Sequence, residues 1–223
     1  MSAVLILETS TEAASIALAV DGEIVAEKGF TSDRRHNALL FGPLAEIMEI
    51  HGGKYFDAVL VGSGPGSYSG TRVGIAAAQG AALVAGCKAL AVPSILAVPE
   101  TLAGGRCLAV GDARRGSFWF ANISGGRLVD APTLTDQIGL DSAMGLARES
   151  GAGVFSMDRF RDREIPFTLP TATGIWRAWQ NATPQDRATW AGNAPQPIYL
   201  APPHVTATKK TTYGLNHHSV PTP

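Results

Sequence analysis

Residues 62–74 have the sequence GSGPGSYSGTRVG, in which four of the first nine residues are glycine. The apolar run Ala58 to Val61 before this stretch predicts a buried strand, and Thr71 to Ala85 predicts a helix that ends at Gly86. Glycines between a strand and a helix let backbone N–H groups approach a ligand closely, and a helix N-terminus adds partial positive charge. The stretch therefore predicts an α/β unit whose turn has the physical properties of a phosphate-binding loop.

The spacing of these glycines differs from two common nucleotide-binding motifs. No G-K-[ST] follows the turn, so no lysine can reach a phosphate, and the G-x-G-x-x-G spacing of dinucleotide folds is absent. Two interpretations therefore remain open. The turn is an inherited phosphate-loop shape, or its glycines only permit a tight turn and close packing of the helix on the strand.

The rest of the chain predicts a strand–strand–strand–helix–strand–helix order that is partly repeated after Ala103-Gly104-Gly105. In the first half we predict strands at 4–7, 15–20, 23–30, 58–61 and 89–92, helices at 33–50 and 71–85, and a short helix from 93 toward 102. Helix 33–50 should kink or restart at Pro43, after Gly42, and end at Gly52-Gly53. In the second half we predict strands at 106–110, 118–123, 127–130 and 154–157, helices at 135–150 and 173–180, and an extended piece at 197–201. The prediction is an α/β fold with a mixed-sheet lobe at 1–103, a smaller one at 104–210, and a disordered tail at 211–223.

Composition narrows the classes of function. A chain of 223 residues with 45% hydrophobic residues can bury one sizeable core or two small ones, and a formal net charge of -1 offers no basic footprint for nucleic acid or an anionic membrane. The two cysteines make no disulfide framework, the N-terminal stretch has no basic region of a signal peptide, and no apolar run has the length of a membrane span. These features predict a cytoplasmic protein without membrane contact.

The glycine turn is long and specific enough to carry a family resemblance. Residues 62–74 resemble the signature of the bacterial TsaB (YeaZ) family, and several shorter motifs match that family in the same order. These motifs are LILETSTEA at 5–13, Arg35-His36, AQG at 78–80, DARRG at 112–116 and PIYL at 197–200. The resemblance covers roughly residues 3–210 and is dense over the first 116. It implies a duplicated actin-like or sugar-kinase-like (ASKHA) fold with a reduced second lobe.

The same resemblance implies a function without chemistry of the chain's own. TsaB proteins are non-catalytic partners in the synthesis of N6-threonylcarbamoyladenosine (t6A) in tRNA. They dimerise with TsaD, the related catalytic subunit, and the ATPase TsaE joins the pair. The resemblance therefore implies a scaffold or activator that binds TsaD, assembles with TsaE, contacts tRNA only indirectly and needs no cofactor.

The histidines argue against a metal-dependent glycoprotease, which is one alternative function. Catalytic relatives carry two histidines one helical turn apart, whereas His36 has Leu40 at that spacing and His51 stands alone. One histidine cannot hold a metal ion that takes three or four protein ligands. We therefore predict no metal site.

A nucleotide-dependent transferase or ATPase of the same fold is the second alternative. Glu8 stands at the end of the first strand, where actin-like ATPases have an aspartate, and Asp112 has the matching place in the second half. Gly125-Gly126 is better explained as a hairpin turn than as an adenosine clamp. We therefore predict only a vestigial nucleotide-type loop, made of Glu8, Gly64, Gly66, Ser67 and Gly70, in which Ser67 and Ser69 bond turn backbone or cap the helix.

The two helices of the first half predict a protein interface. Both have more apolar residues than one sheet-facing stripe requires, and helix 71–85 is interrupted only by Thr71, Arg72 and Gln79. The alternative is that the helices are buried by each other, the sheet and the second half. With the resemblance, which places the TsaD-facing surface on these helices, the predicted interface is His36, Leu40, Pro43, Ile47, Arg72, Ile75, Ala76, Gln79 and Leu83. The same surface could pair two copies of this chain.

Overall fold

A mixed β-sheet forms the centre of the first half of the molecule. The computed structural model describes residues 2–31, 39–53 and 55–200. The strands of this sheet are β1 (Ala3–Glu8), β2 (Ala13–Val20), β3 (Glu23–Thr31), β4 (Ala58–Gly62) and β5 (Lys88–Val92), in the order β3-β2-β1-β4-β5. The first three strands form an antiparallel meander, while β4 runs parallel to both β1 and β5. The strands predicted for this half are confirmed, with ends shifted by one or two residues.

Two helices cover one face of this sheet. They are α1 (Phe41–His51) and α2 (Tyr68–Ala85). Alternate residues of a strand point to opposite faces, so Leu5 and Leu7 of β1 pack in one core cluster with Ile47 of α1 and Ile75 of α2. Helix α1 begins at Phe41 in the described chain, and Pro43 lies in its first turn, where a missing N–H leaves no hydrogen bond unmade. Residues 33–38 of the predicted helix lie outside the described residues.

Helix α2 begins three residues earlier than predicted, at Tyr68 instead of Thr71. The reason is the cap: the Ser67 hydroxyl accepts a hydrogen bond from the Gly70 N–H at 3.2 Å, which satisfies one free donor of the first turn. The predicted capping role of Ser67 is thereby confirmed. The helix ends where Gly86 takes a left-handed conformation with φ of 66°, as predicted.

The second half repeats this arrangement in a smaller form. After a 3-10 turn (Ser94–Leu96) and the short helix α3 (Pro99–Leu102), the chain builds a second sheet that is covered on one face by α4 (Gln137–Glu149). Its strands are β6 (Arg106–Arg114), β7 (Ser117–Ser124), β8 (Arg127–Leu128), β9 (Thr133–Thr135) and β10 (Gly153–Ser156), in the order β10-β6-β7-β8, with β9 also paired to β7. Strand β10 runs parallel to β6 as β4 does to β1. The predicted α/β class with two mixed sheets is confirmed, although β9 was not predicted.

The last helices return to the first sheet. Helix α5 (Ala172–Asn181) lies in the core between the two sheets, where Ile175 and Ala178 share a cluster with Ile6 of β1 and Trp119 of β7. Its first turn is anchored by Ser15, whose hydroxyl accepts a hydrogen bond from the Ala172 N–H at 2.7 Å. The strands of the first sheet thus precede residue 103 and those of the second follow it, while α5 packs against the first sheet from the second half of the chain.

Helix α6 (Pro184–Ala191) was not predicted, although Thr183 and Asp186 form the capping box that starts it. The predicted extended piece near the C-terminus forms no strand, but its Ile198 N–H donates a hydrogen bond to the Ser63 carbonyl at 2.9 Å. The predicted tail at 211–223 lies outside the described residues. Among the described helices, none combines the length and apolar character that crossing a bilayer requires.

Candidate functional site

The turn that follows β1 packs directly against the glycine turn that follows β4. Because β1 and β4 are parallel neighbours, their carboxyl ends meet at one edge of the sheet. The Thr9 hydroxyl donates a hydrogen bond to the Gly70 carbonyl at 2.8 Å, and the Ser67 N–H donates one to the Ser10 carbonyl at 2.6 Å. The structure thus brings all five predicted loop residues, from Glu8 to Gly70, to one place.

Close contact between the two turns explains three of the glycines. A Cβ atom on Gly62 would lie 1.9 Å from Glu8 Oε2, and one on Gly66 would lie 2.3 Å from the Ser10 carbonyl oxygen. A Cβ atom on Gly74, in the second turn of α2, would lie 2.1 Å from Thr9 Oγ1. The space that glycine leaves open at these positions is therefore filled by the chain's own β1–β2 turn, which is the second of the two interpretations left open by the sequence.

At Gly64 the backbone conformation, and not the space around the residue, requires glycine. Its φ of 85° lies in the left-handed region that favours glycine, and its peptide bond to Pro65 is cis. The Gly64 N–H donates a hydrogen bond to the Ser94 hydroxyl at 2.9 Å. Gly64 therefore shapes the turn, while the glycines on either side of it allow close packing.

Glu8 is completely buried beneath the glycine turn. Its Oε1 accepts a hydrogen bond from the Ser10 N–H at 2.6 Å, whereas its Oε2 has no hydrogen-bond partner among the described residues. Burial raises the pKa of Glu8 above its ordinary value of 4.5, and the hydrogen bond from Ser10 opposes that rise. Within the described part of the chain, the hydroxyls of Ser10 and Thr71 are also buried there and have no hydrogen-bond partner. The carboxyl group is therefore enclosed by its own chain.

The second half has a weaker counterpart of this site. Asp112 lies near the end of β6, and its N–H donates a hydrogen bond at 3.0 Å to the carboxylate of Asp158, which follows β10. Burial raises the pKa of Asp158. The Asp112 carboxylate is paired with Arg114 in its own hairpin, and Gly125 and Gly126 turn β7 into β8 as predicted. Across residues 2–31, 39–53 and 55–200, no group of three or more His, Cys, Asp or Glu side chains could hold a metal ion.

The predicted interface residues separate into an exposed and a buried set. Arg72, Ala76, Gln79 and Leu83 are exposed on α2, as expected of a partner-binding surface. Leu40, Ile47 and Ile75 are core residues, so the structure assigns them to the packing of the helices on the sheet instead of to a surface. Pro43 is half-buried, and His36 lies outside the described residues.

Further exposed apolar side chains that the sequence did not single out, among them Phe41, Ile50 and Val84, lie on the same two helices as this set. Leu83 and Val84 of α2 are 83% and 77% exposed, and Phe41 and Ile50 of α1 are 62% and 53% exposed. A periodic pattern could not identify them, because both helices are apolar nearly all round and no face stands out. We call the exposed residues Phe41, Ile50, Ala76, Gln79, Leu83 and Val84 the helical face.

A tyrosine–arginine cluster lies at the start of α2. The Arg72 guanidinium donates hydrogen bonds to the Tyr68 hydroxyl and, from Nη2 at 2.9 Å and Nε at 3.3 Å, to the Tyr199 hydroxyl. It also lies 4.4 Å from the centre of the Tyr68 ring. The hydrogen bond to Tyr199 raises the pKa of Arg72. Neither tyrosine was predicted as a site residue, and the contact with Tyr199 could not be read from the sequence because it joins residues 127 positions apart.

Comparisons with known proteins agree with the resemblance carried by the glycine turn. A family model described as "TsaD: tRNA N6-adenosine threonylcarbamoyltransferase" matches residues 24–176. The Escherichia coli (strain K12) tRNA threonylcarbamoyladenosine biosynthesis protein TsaB is 33% identical over 124 residues, which is 53% of this chain and 53% of that protein. The matched stretch thus spans about half the length of this curated relative.

Two solved structures from Pseudomonas aeruginosa have the same fold. One is YeaZ, with a TM-score of 0.64, and the other is an uncharacterized protein with similarity to the peptidase YEAZ, with a TM-score of 0.67. Each is 24% identical to this chain, and each match covers 90% of this chain and 100% of the other. This likeness confirms the predicted α/β fold as the fold of these two structures.

Proposed function

The chain belongs to the family defined by the TsaD model, and its predicted place in the TsaB (YeaZ) family is confirmed. From this premise we propose that it is a non-catalytic subunit of t6A synthesis. In this proposal the chain binds a TsaD-like catalytic subunit and helps to order it. The observation that carries the proposal is the helical face, where large apolar side chains of α1 and α2 are exposed to solvent.

The position of the helical face supports a protein partner. The buried residues of α1 and α2, such as Ile47 and Ile75, pack on the same face of the first sheet. The exposed residues of both helices therefore lie on the side that faces away from this sheet. Soluble monomers seldom leave large apolar patches uncovered, and small residues such as Ala76 and Gly80 permit another helix to approach closely. A TsaD-like subunit would cover this face, and a second copy of the chain could cover it when that subunit is absent.

The packing of the glycine turn supports a role without nucleotide chemistry. Glu8, Thr9 and Ser10 occupy the space where side chains at Gly62, Gly66 and Gly74 would lie, so close packing accounts for these glycines without a bound phosphate. This contact disfavours the alternative of a self-sufficient ATPase or transferase. The turn instead starts α2 and holds it on the sheet through the bonds of Thr9 and Ser67.

The remaining parts of the proposal follow from the family. A TsaE-like ATPase joins the complex of the two related subunits. The tRNA is held mainly by the partner, since a chain with a formal net charge of -1 has no overall electrostatic attraction for RNA. The complex works in the cytoplasm, where tRNA is modified.

The proposal is tested by purifying the chain with and without the TsaD-like subunit of the same organism. We expect the two to form a complex in size-exclusion chromatography and the pair, but not this chain alone, to support t6A formation with TsaE and threonylcarbamoyl-adenylate. Tight ATP binding or ATP turnover by the isolated chain in calorimetry would overturn the non-catalytic assignment. Failure to bind the TsaD-like subunit at micromolar concentration would overturn the partner assignment.

A further inference from the structure

The guanidinium of Arg72 is exposed and yet held in one orientation. Two phenol rings flank it, with ring centres 4.4 Å away for Tyr68 and 5.8 Å away for Tyr199, and both hydroxyls accept its hydrogen bonds. Tyr199 is itself tethered, because the adjacent Ile198 N–H donates to the Ser63 carbonyl of the glycine turn at 2.9 Å. An arginine side chain on a surface normally loses conformational freedom when it binds, and here that loss has already occurred.

The charge of Arg72 has no counter-ion in the described chain. Its contacts are with neutral phenols, and none of the ion pairs formed within residues 2–31, 39–53 and 55–200 includes it. The phenol oxygens use only part of the N–H donors of the guanidinium, so others are free to bind an anion. A fixed, uncompensated guanidinium matches the planar, bidentate geometry of a carboxylate.

The neighbours of Arg72 on α2 decide which kind of partner carries that carboxylate. Ala76, Gln79 and Leu83 follow at intervals of four, seven and eleven residues, so they lie on the same side of the helix and are all exposed. This side of the helix has one cation at its N-terminal end and is otherwise uncharged. A nucleic-acid surface requires several cations that follow the phosphate backbone, whereas one arginine beside apolar residues is the composition of a protein interface.

We infer that Arg72, held by Tyr68 and Tyr199 beside the helical face, is the charge-recognition residue of this interface and binds a carboxylate side chain on the partner subunit. Tyr199 is a positioning residue that acts through Arg72. The inference rests on the proposed function, since it assumes that the helical face binds a TsaD-like subunit. It adds that the C-terminal segment at 197–200, which is distant in sequence, takes part in that recognition.

The test compares the dissociation constants of wild type, Arg72→Met, Arg72→Lys and Tyr199→Phe for the purified TsaD-like subunit at low and high salt. We expect Arg72→Met to weaken binding by roughly 10- to 100-fold at low salt, the range for a hydrogen bond to a charged group. The loss should shrink at high salt, because salt screens the carboxylate contact. Arg72→Lys keeps the charge but not the planar guanidinium, so its dissociation constant should lie between those of wild type and Arg72→Met. Tyr199→Phe should also weaken binding, and it should lower the thermal midpoint of the isolated chain by no more than a few degrees.

Several outcomes would overturn this inference. One is that Arg72→Met binds like wild type at both salt concentrations while Ala76→Arg abolishes binding. That result would reject the role of Arg72 and still support the helical face as the site that binds the TsaD-like subunit. A second is an equal loss for Arg72→Met at low and high salt, which indicates a purely structural role. A third is Arg72-dependent binding of the isolated chain to tRNA, with a steep dependence on salt. If wild type itself does not bind the subunit, the proposed function fails and the inference fails with it.

Discussion

Gly74 in α2 and Thr9 in the turn after β1 are in such close contact that a Cβ atom on Gly74 would lie 2.1 Å from Thr9 Oγ1. The same Thr9 hydroxyl donates its hydrogen bond to the Gly70 carbonyl one turn earlier in the helix. The side chain of Thr9 thus lies against two successive turns of α2 and fixes how closely the helix approaches the sheet. Glycine is required at position 74 because Thr9 lies so close to the helix. It is not required for a turn, since Gly74 lies within α2.

The first prediction concerns this contact. Gly74→Ala should destabilise the fold by about 1–3 kcal/mol, because the added methyl group has no space and forces Thr9 to move. At roughly 2–4 °C per kcal/mol for a chain of this size, the thermal midpoint should fall measurably in a calorimetric melt. Gly80→Ala is the matched control: it lies in the same helix with nothing within 4 Å of its Cβ position, and it should raise stability by about 0.5–1 kcal/mol. Equal midpoints for the two variants would contradict the contact.

The second prediction concerns the pH dependence of stability. Burial raises the pKa of Glu8 above 4.5, so the folded chain keeps the Glu8 proton at pH values where the unfolded chain has lost it. Below pH 4.5 both states hold the proton and Glu8 contributes no pH dependence. As the pH rises through and above that value, the free energy of unfolding loses a contribution, because the folded state binds more protons than the unfolded state.

Glu8→Gln removes this charge and keeps the shape of the side chain. We therefore expect the stability of the variant, relative to wild type, to increase as the pH rises from about 4.5 toward 8, as measured by urea denaturation. Glu12→Gln, at an exposed position in the same turn, should follow the wild-type curve. Parallel curves for Glu8→Gln and wild type over this range would show that the carboxyl does not titrate differently in the folded state.

The third prediction concerns the helical face. Leu83 is 83% exposed, so Leu83→Glu should change the stability of the isolated chain by no more than about 0.5 kcal/mol. In the proposed complex the new carboxylate would be buried, at a cost of at least about 2 kcal/mol, and the dissociation constant for the TsaD-like subunit should rise roughly 30-fold or more. Ala76→Arg, on the same side of the helix, should have a similar effect.

A matched control for this experiment lies in the second half. Leu146 of α4 is 65% exposed, and Leu146→Glu introduces the same change outside the helical face. It should leave binding of the TsaD-like subunit unchanged in calorimetry. If Leu83→Glu still co-purifies with the subunit at the wild-type yield, the helical face is not the interface.

The fourth prediction concerns the two cysteines. Cys107 is buried and its pKa is raised to about 11, so it holds little thiolate at neutral pH, whereas Cys87 is half-buried. A thiol reagent should label one cysteine in the folded chain and both after unfolding in guanidinium. The native labelling should be lost in Cys87→Ser and retained in Cys107→Ser. Native labelling that persists in Cys87→Ser would show that the sheet around Cys107 opens.

Much of the fold could be predicted because its signals are local. Apolar runs such as Ala58 to Val61 identified the strands of the first sheet, and Gly52 and Gly86 marked the helix ends through a left-handed conformation that favours glycine. Strand β9 and helix α6 were missed since β9 is only three residues long and α6 has no buried residue and thus no apolar period.

The site was only partly predictable for a different reason. The exposed and buried sides of α2 could not be told apart from a sequence that is apolar nearly all round, so Ile75 was grouped with Ala76 although only Ala76 is exposed. The tyrosine–arginine cluster depends on Tyr199, which reaches Arg72 only after the chain has passed through the second sheet and returned to the first.

The glycine turn shows most clearly what the sequence by itself determined. The spacing of glycines between a buried strand and a helix determined the α/β fold, the presence of α2 and the family to which the chain belongs, because each depends on local sequence. Which glycines allow close packing was decided only by the tertiary structure. The parallel pairing of β1 with β4 brings Glu8, Thr9 and Ser10 against Gly62, Gly74 and Gly66, and so fills the space where a side chain at each of these positions would lie.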